Sequence, residues 1–273
     1  MTVAHVPYGA AMPEALRRYY VLLDDGEAVG AAAQFSADAM YAVVPGRDAS
    51  ESEPQLLIRG RDEIGAWFAQ RPSRRVDHRV EVCAIDGDVA LVEGRIVVNG
   101  ATVLPFLASA SLDGDGLLRR YLAFSCPVVL DAMAHGAAVG IAAEPVAADA
   151  SDVIDRYFEL LDTGDFGGAV ECFSPGVVYS HPPYRHTDNA GNDRVTFRGR
   201  AELLAGFHAR GKQSFRHRLL SRAQVGPHCI FEGAMLDLPD GGSGGFMSSL
   251  TLDSEGRIAR YLSMYRGPAI PLA

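Results

Sequence analysis

The chain has 273 residues, of which 48% are hydrophobic and 22% charged, and its formal net charge at pH 7 is −9. These values are typical of a globular protein, and no apolar run approaches the roughly 18 residues that a transmembrane helix needs. The negative charge disfavours nucleic-acid binding, which requires a clustered excess of Lys and Arg. The N-terminus does not resemble a secretory signal and the four cysteines have no C-x-x-C spacing, so we expect a cytoplasmic protein with reduced thiols and no membrane partner.

The two halves of the sequence repeat each other. Residues 18–27, RYYVLLDDGE, return as residues 156–165, RYFELLDTGD, at an offset of 138 positions. Two later blocks return at offsets of 139 and 140 positions: they begin at Arg59-Gly60-Arg61 and Leu112-Asp113 in the first copy, and at Arg198-Gly199-Arg200 and Leu252-Asp253 in the second. This period is too long for a solenoid. The repeat predicts two domains, residues 1–130 and 151–273, joined by an Ala- and Gly-rich linker at 131–150.

The second copy shows its predicted elements most clearly. An apolar stripe from Val153 to Leu161 predicts a helix that ends near Gly164, and Asp165 is placed to cap a short second helix through Phe173. The remaining elements are a strand at Val177–Tyr179, a helix at Arg200–Arg210, and strands at Arg218–Val225, Cys229–Leu238, Gly245–Leu252 and Ile258–Tyr265. Helices followed by a run of strands predict an α+β fold with helices on one face of a curved antiparallel sheet. Copy one follows the same order.

This order of elements, with the R-Y-x-x-L-L-D-x-G-[DE] helix end and the R-G-R segment, resembles the nuclear transport factor 2-like superfamily. That group includes SnoaL-like polyketide cyclases, ketosteroid isomerases, scytalone dehydratase and a hexachlorocyclohexane dehydrochlorinase. The resemblance implies two cystatin-like α+β cones in tandem, each with a ligand cavity at its open end. Because such cones usually form dimers, it also implies an intramolecular pseudo-dimer, with further homo-oligomerisation left open.

Asp162 and His217 match by position the Asp and His that act together in scytalone dehydratase and the dehydrochlorinase. A carboxylate that orients an imidazole gives a general base suited to removing a proton from carbon. Asp24 and His78 repeat the pair in copy one. The alternative interpretation is that the pair belongs to the fold, with Asp162 ending a helix and His217 beginning a strand at the surface.

Two further positions differ between the copies. His181 falls where ketosteroid isomerases place their carboxylate base, near Tyr184 at the expected cavity mouth, whereas copy one has Val43 there. Ser248 falls at the second oxyanion donor of those enzymes, whereas copy one has Ala108. These differences predict that copy two holds the better-equipped site and that copy one is degenerate.

Tyr157 matches the oxyanion-stabilising Tyr of the isomerases, although its place on the apolar stripe also fits core packing. Glu232 is expected to face the cavity and pair with His217 or Arg218, or else to form a structural ion pair as its repeat Glu93 would. The histidines near the proposed mouth have no compact metal-ligand spacing, so no metal and no cofactor are expected.

The sequence therefore predicts a cofactor-independent cyclase, isomerase or dehydratase that transfers protons on a small apolar or polycyclic molecule. The alternative is a non-catalytic protein that binds small ligands or serves assembly through the same cavities. The two hypotheses differ in whether Asp162, His181, His217 and Ser248 line one apolar pocket.

Overall fold

The computed structural model describes residues 8–9, 12–44, 56–71, 76–100, 102–125, 149–182, 195–238, 244–264 and 267–268. The chain divides into two compact units, Met1–Pro127 and Val128–Pro271. Most of the predicted linker and Tyr184 lie outside the described residues. The exact domain bounds and the pairing of the two copies stay predictions.

The described residues of the first domain form three helices and a seven-stranded sheet. In chain order the elements are β1 (Tyr8–Gly9), α1 (Glu14–Asp24), α2 (Ala28–Ala32), β2 (Phe35–Val44), β3 (Leu56–Arg59), α3 (Arg61–Gln70), β4 (Val76–Asp86), β5 (Val89–Val98), β6 (Thr102–Leu112) and β7 (Leu118–Ser125). The strand order is β1-β4-β5-β6-β7-β2-β3.

The second domain repeats this arrangement. Its elements are α4 (Ala150–Thr163), α5 (Phe166–Glu171), β8 (Phe173–His181), β9 (Val195–Arg198), α6 (Gly199–Arg210), β10 (Arg216–Val225), β11 (His228–Leu236), β12 (Gly244–Leu252), β13 (Ile258–Ser263) and β14 (Gly267–Pro268). The strand order is β10-β11-β12-β13-β8-β9, and β14 pairs with β12. The predicted α+β fold in two tandem copies is confirmed.

The expected antiparallel sheet also contains parallel pairs: one at an equivalent place in each domain, and a further one between β1 and β4 in the first domain. Strand β2 pairs in parallel with β7, and β8 pairs in parallel with β13. The last four long strands of each domain pair antiparallel with their neighbours in chain order. The earlier strand reaches its neighbour only through the intervening helix and strands, the type of long connection that a parallel pair requires. Each sheet is therefore mixed.

The end of helix α4 follows its predicted signals. Gly164 adopts the left-handed conformation with φ of 86°, and its N–H closes the last turn. The Asp165 side chain then accepts a hydrogen bond from the Gly168 N–H at the start of α5. Helix α5 ends at Glu171, so Phe173 begins a strand instead of ending the helix. These caps bring Asp162 to the last turn of α4, next to the sheet.

A β-bulge and a glycine bend each sheet at the same place. The register shifts between Val80 and Val82 in β4, and between Leu219 and Ser221 in β10. Gly94 lies opposite the first bulge, where an ideal Cβ would be 2.4 Å from the Arg79 carbonyl oxygen. Bulges increase local bending and twist, and this bend curves the sheet around the helices.

The core of each domain lies between the helices and the concave face of its sheet. In the second domain it contains Tyr157 and Phe158 from α4, Phe207 from α6, and Phe231 and Tyr261 from the sheet. The first domain has an equivalent aromatic cluster. Residues two apart on a strand share a face, so the identity of these core side chains fixes which strand positions point toward the helices.

Candidate functional site

An aspartate at the end of the first helix holds a histidine on the sheet in each domain. Asp162 Oδ1 lies 2.6 Å from His217 Nδ1, and its Oδ2 accepts from the His217 backbone N–H at 2.8 Å. In the first domain the Asp24–His78 distances are 2.5 Å to the ring and 2.7 Å to the backbone N–H. The predicted pairing is confirmed in both copies, while its chemical role remains a hypothesis.

Aromatic rings enclose the imidazole of the second domain. The His217 ring stacks on Phe158 with centroids 4.6 Å apart, and Phe246 meets it edge-on at 5.5 Å. Because a carboxylate only accepts hydrogen bonds when ionised, His217 Nδ1 carries the proton that binds Asp162. In the neutral ring the basic lone pair is then on Nε2, the nitrogen through which proton exchange with a ligand would run.

Three phenols and a serine hydroxyl lie beside this pair. The hydroxyls of Tyr157 and Tyr179 are 3.4 Å apart, and Ser248 Oγ lies 3.2 Å from the Tyr261 hydroxyl. All four side chains are buried. Phe158 links this group to the dyad, since its ring lies 4.9 Å from Tyr157 and also stacks on His217. Tyr157 on α4 and Ser248 on β12 therefore both lie between the helices and the sheet, and their catalytic roles stay predictions.

The first domain holds four phenols in the corresponding place. The Tyr19 and Tyr41 hydroxyls are 3.1 Å apart, and the Tyr121 hydroxyl donates to Tyr20 at 3.2 Å. Burial raises the pKa of each of these four tyrosines. They are therefore neutral near pH 7 and able to donate hydrogen bonds.

The first copy also has a buried hydroxyl pair at this place, while its predicted degeneracy as a catalytic site stays a prediction. Where Ser248 meets Tyr261 in the second domain, the first has Ala108, but Tyr20 takes the place of Phe158 and meets Tyr121 instead. The hydroxyl partner comes from the sheet in one domain and from the helix in the other. The Tyr20 ring also stacks on His78 at 5.0 Å, so a phenol joins this dyad to the tyrosine group.

His181 ends strand β8 on the same face as Tyr179. The two rings are nearly parallel, with an interplanar angle of 4° and centroids 6.0 Å apart. His181 Nδ1 lies 2.7 Å from the Pro182 carbonyl oxygen, which can only accept, so Nδ1 donates and Nε2 is basic in the neutral ring. The side chain is half-buried. It therefore lies on the concave side of the sheet, beyond Tyr179.

Glu232 does not face this group. Its neighbours Phe231 and Gly233 point toward the helices, where Phe231 packs against Phe158 and a Cβ at Gly233 would meet the ring of Phe246. Strand alternation places Glu232 on the opposite face, where it is buried. The expectation that Glu232 pairs with His217 in the cavity is therefore wrong.

Sequence reasoning missed Tyr179 and Tyr261 in the second group, and Tyr20, Tyr41 and Tyr121 in the first. Tyr121 and Tyr261 stand in the repeated Arg-Tyr-Leu segment, and Tyr41 and Tyr179 stand two residues before the copy-specific Val43 and His181. Their repetition on strands was the available signal. Tyr179 and Tyr261 stack at 4.8 Å, and Tyr41 and Tyr121 at 5.4 Å, so each pair forms part of the buried aromatic cluster of its domain.

Other reactive groups are absent from this site within the described ranges. No three His, Cys, Asp or Glu side chains there are arranged to hold a metal ion. Cys83, Cys172 and Cys229 are free and buried. Burial raises the pKa of Cys83 to about 11 and that of Cys229 to about 12, so neither is a thiolate nucleophile near neutral pH. No described helix has the length and hydropathy needed to cross a bilayer.

Comparisons with known proteins give one family and several solved structures. Residues 154–261 match the SnoaL-like domain family. A candidate ketosteroid isomerase from Kribbella flavida is 20% identical, with a TM-score of 0.35, and the match covers 50% of this chain and 90% of that one. A candidate polyketide cyclase from Sinorhizobium meliloti is 17% identical with a TM-score of 0.33, over 41% of this chain and 94% of that one. The orange carotenoid protein of Anabaena, in a structure binding canthaxanthin, is 13% identical with a TM-score of 0.35, over 42% of this chain and 36% of that one.

No curated protein matches the chain. The family match falls in the second domain, and the first domain repeats that domain's sequence blocks, element order and strand order. The second domain is therefore similar to the SnoaL-like domain family over residues 154–261, and the first domain is a second copy of the same arrangement of elements.

Proposed function

We propose that the second domain is a cofactor-independent enzyme that moves protons on a small apolar or polycyclic molecule, as a cyclase, isomerase or dehydratase. The observation that carries the proposal is the Asp162–His217 pair, with 2.6 Å between Oδ1 and Nδ1, enclosed by aromatic rings on the concave face. A carboxylate that fixes the tautomer and orientation of an imidazole is the usual support for a histidine base.

The proposed chemistry needs only groups of this domain. His217 Nε2 takes a proton from a carbon next to a carbonyl or leaving group, and the resulting imidazolium is stabilised by Asp162. The hydroxyls of Tyr157 or Ser248 donate to the oxygen on which negative charge develops. The proton then returns to another carbon in an isomerase or cyclase, or leaves with the departing hydroxyl as water in a dehydratase. His181, whose Nε2 is also basic, is a second proton carrier.

A non-catalytic ligand-binding function is the second candidate, because one observation favours it. Both domains contain the aspartate–histidine pair with nearly the same geometry, and in both the carboxylate also binds the backbone N–H of the histidine. A contact of this kind stabilises the packing of the helix end on the sheet and requires no catalytic role. The two candidates differ in whether the tautomer of His217 matters.

The change Asp162→Asn separates these candidates. The amide oxygen can still accept from the His217 backbone N–H, while the amide nitrogen donates to Nδ1 and forces the proton onto Nε2. A general base is then lost although the fastening contact is kept. The probe is 5-nitrobenzisoxazole, whose ring opens when a base removes its carbon-bound proton and whose phenolate product absorbs visible light.

We expect the native protein to open this ring faster than free imidazole at equal concentration. Asp162→Asn should lower the protein's rate of ring opening by a factor of about 10² to 10⁴, the range typical of general-base loss. Asp24→Asn in the first domain is the matched variant. A rate that falls only in that variant would place the base in the first domain. An unchanged rate in both variants, or no acceleration by the native protein, would favour the non-catalytic candidate.

A further inference from the structure

The first domain places a tryptophan and an arginine at the edge of its phenol group. Trp67 lies on helix α3, with its ring centroid 5.5 Å from that of Tyr41. Arg71 follows the helix directly, and its guanidinium carbon lies 5.3 Å from the Trp67 ring centroid. Both side chains are half-buried. The indole therefore contacts both a cation and one of the buried tyrosines.

Arg71 has no carboxylate partner among the described residues. Several other half-exposed arginines do have one: Arg95 with Glu81, Arg200 with Glu171, Arg222 with Asp155, and Arg257 with Asp253. Burial raises the pKa of Tyr19 and Tyr41, and the charge of Arg71 opposes that rise at both phenols. The guanidinium charge is therefore close enough to act on the hydroxyls of this group.

The second domain lacks this arrangement. Gly206 stands at the position of Trp67, and the ring of Phe197 from strand β9 fills the space, since an ideal Cβ at Gly206 would lie 2.3 Å from Phe197 Cζ. The residue equivalent to Phe197 in the first domain is Ile58, which pairs with Tyr41 as Phe197 pairs with Tyr179. The large aromatic ring is on the strand in the second domain and on the helix in the first. The two domains therefore have different side chains at the same place.

We propose that the first domain is a binding site in its own right for a small apolar or aromatic carboxylate. The planar guanidinium of Arg71 matches a carboxylate with two parallel hydrogen bonds. The neutral phenols supply donors, and the surrounding rings accept the hydrocarbon part, the combination that small-molecule sites use. Specificity for the acid over a neutral analogue resides in Arg71, and Trp67 forms the wall beside it.

Trp67 makes this site observable on its own, because it is the single tryptophan of the chain. Excitation at 295 nm in the full-length protein therefore reports on the first domain. The ligand probes are 3-phenylpropanoate, which does not absorb at that wavelength, and its neutral amide, 3-phenylpropanamide. We expect the acid to change Trp67 fluorescence in a saturable way, and the amide to need at least about tenfold higher concentration for half-saturation.

The variants are Arg71→Gln, Arg71→Lys and, as the matched control in the second domain, Arg210→Gln. We expect Arg71→Gln to bind acid and amide equally, Arg71→Lys to keep part of the preference, and Arg210→Gln to match the native protein, with far-UV circular dichroism unchanged in all three. No saturable change with the acid, equal affinity of the native protein for acid and amide, or native acid affinity in Arg71→Gln would each overturn the proposal. None of these results depends on the proton-transfer function of the second domain.

Discussion

Asp162 binds His217 twice, accepting from its backbone N–H at 2.8 Å through one oxygen and lying 2.6 Å from its ring nitrogen through the other. The contact joins the last turn of α4 to the first residues of β10, although the two residues are 55 positions apart in the sequence. Because Asp24 and His78 form the same contact, the duplication supplies two copies of one structural and chemical unit. The stability part of that unit can be measured separately from its chemistry.

Replacing either aspartate with alanine should destabilise its own domain. Asp162→Ala removes the acceptor of two largely buried donors, a loss that typically costs about 1 to 3 kcal/mol. Asp24→Ala should cost a similar amount, because the contact is the same. Urea unfolding followed by circular dichroism gives the free energies. A loss below the measurement error in both variants would show that the contact does not fasten the helix to the sheet.

The exchange of hydroxyl partners between the domains predicts a specific coupling. Tyr20→Phe removes the acceptor of the buried Tyr121 hydroxyl and should cost roughly 1 kcal/mol. Ala108→Ser in the same protein recreates the Ser248–Tyr261 arrangement of the second domain and should recover part of that loss. A double-mutant cycle measured by urea unfolding gives the coupling energy. Strictly additive changes would indicate that Ala108 cannot supply the missing partner.

Alkaline pH should unfold the first domain through its tyrosines. Burial raises the pKa of Tyr19, Tyr20, Tyr41 and Tyr121 above the value near 10 of an exposed phenol. Folding therefore favours the protonated form, so this contribution is complete below about pH 10 and is lost as the pH rises through the folded pKa values. Tyrosinate absorbance at 295 nm and circular dichroism should change together for these groups. Full ionisation of all tyrosines with the native spectrum intact would contradict this.

Gly94 should not tolerate a side chain. An ideal Cβ there would lie 2.4 Å from the Arg79 carbonyl oxygen and 2.7 Å from the Phe106 ring, so Gly94→Ala forces the strands apart. Overpacking of this kind costs typically about 1 to 3 kcal/mol. Gly114→Ala is the control, because nothing lies within 4 Å of its Cβ position. Equal unfolding midpoints for the two variants would mean that the bulge adjusts without cost.

The sequence was sufficient for the features that repeat at fixed spacing. The two aspartate–histidine pairs were predictable because each half served as a control on the other. Glu232 was misplaced because strand side chains alternate with a period of two, and a single position decides between the cavity and the opposite face. The parallel pairing of β8 with β13 joins segments far apart in sequence, so local patterns do not reveal it.

The residue-by-residue comparison of the two copies also failed to predict the hydroxyl pair of the first domain. The presence of Ala108 where the second domain has Ser248 suggested that a polar group was lost. The compensating hydroxyl of Tyr20 was not predicted, because Tyr20 lies on a different element and only the fold brings it to Tyr121. Val43 stands where the second domain has His181, and it packs against the core of the first domain. Its described contacts include no polar group that would take the place of the imidazole. The predicted functional asymmetry of the domains therefore rests on His181.

Changing His181 should thus affect catalysis more than folding. Because ring opening of 5-nitrobenzisoxazole needs a single base and His217 is proposed for that role, His181→Ala should lower the rate less than Asp162→Asn does, with an unchanged melting temperature. Val43→Ala, at the equivalent place in the first domain, should alter stability and leave the rate intact. His181→Gln provides a test that keeps the size of the side chain. Full activity in both His181 variants would show that His181 is not part of the active site. Inactivation by Val43→Ala would place the active site in the first domain.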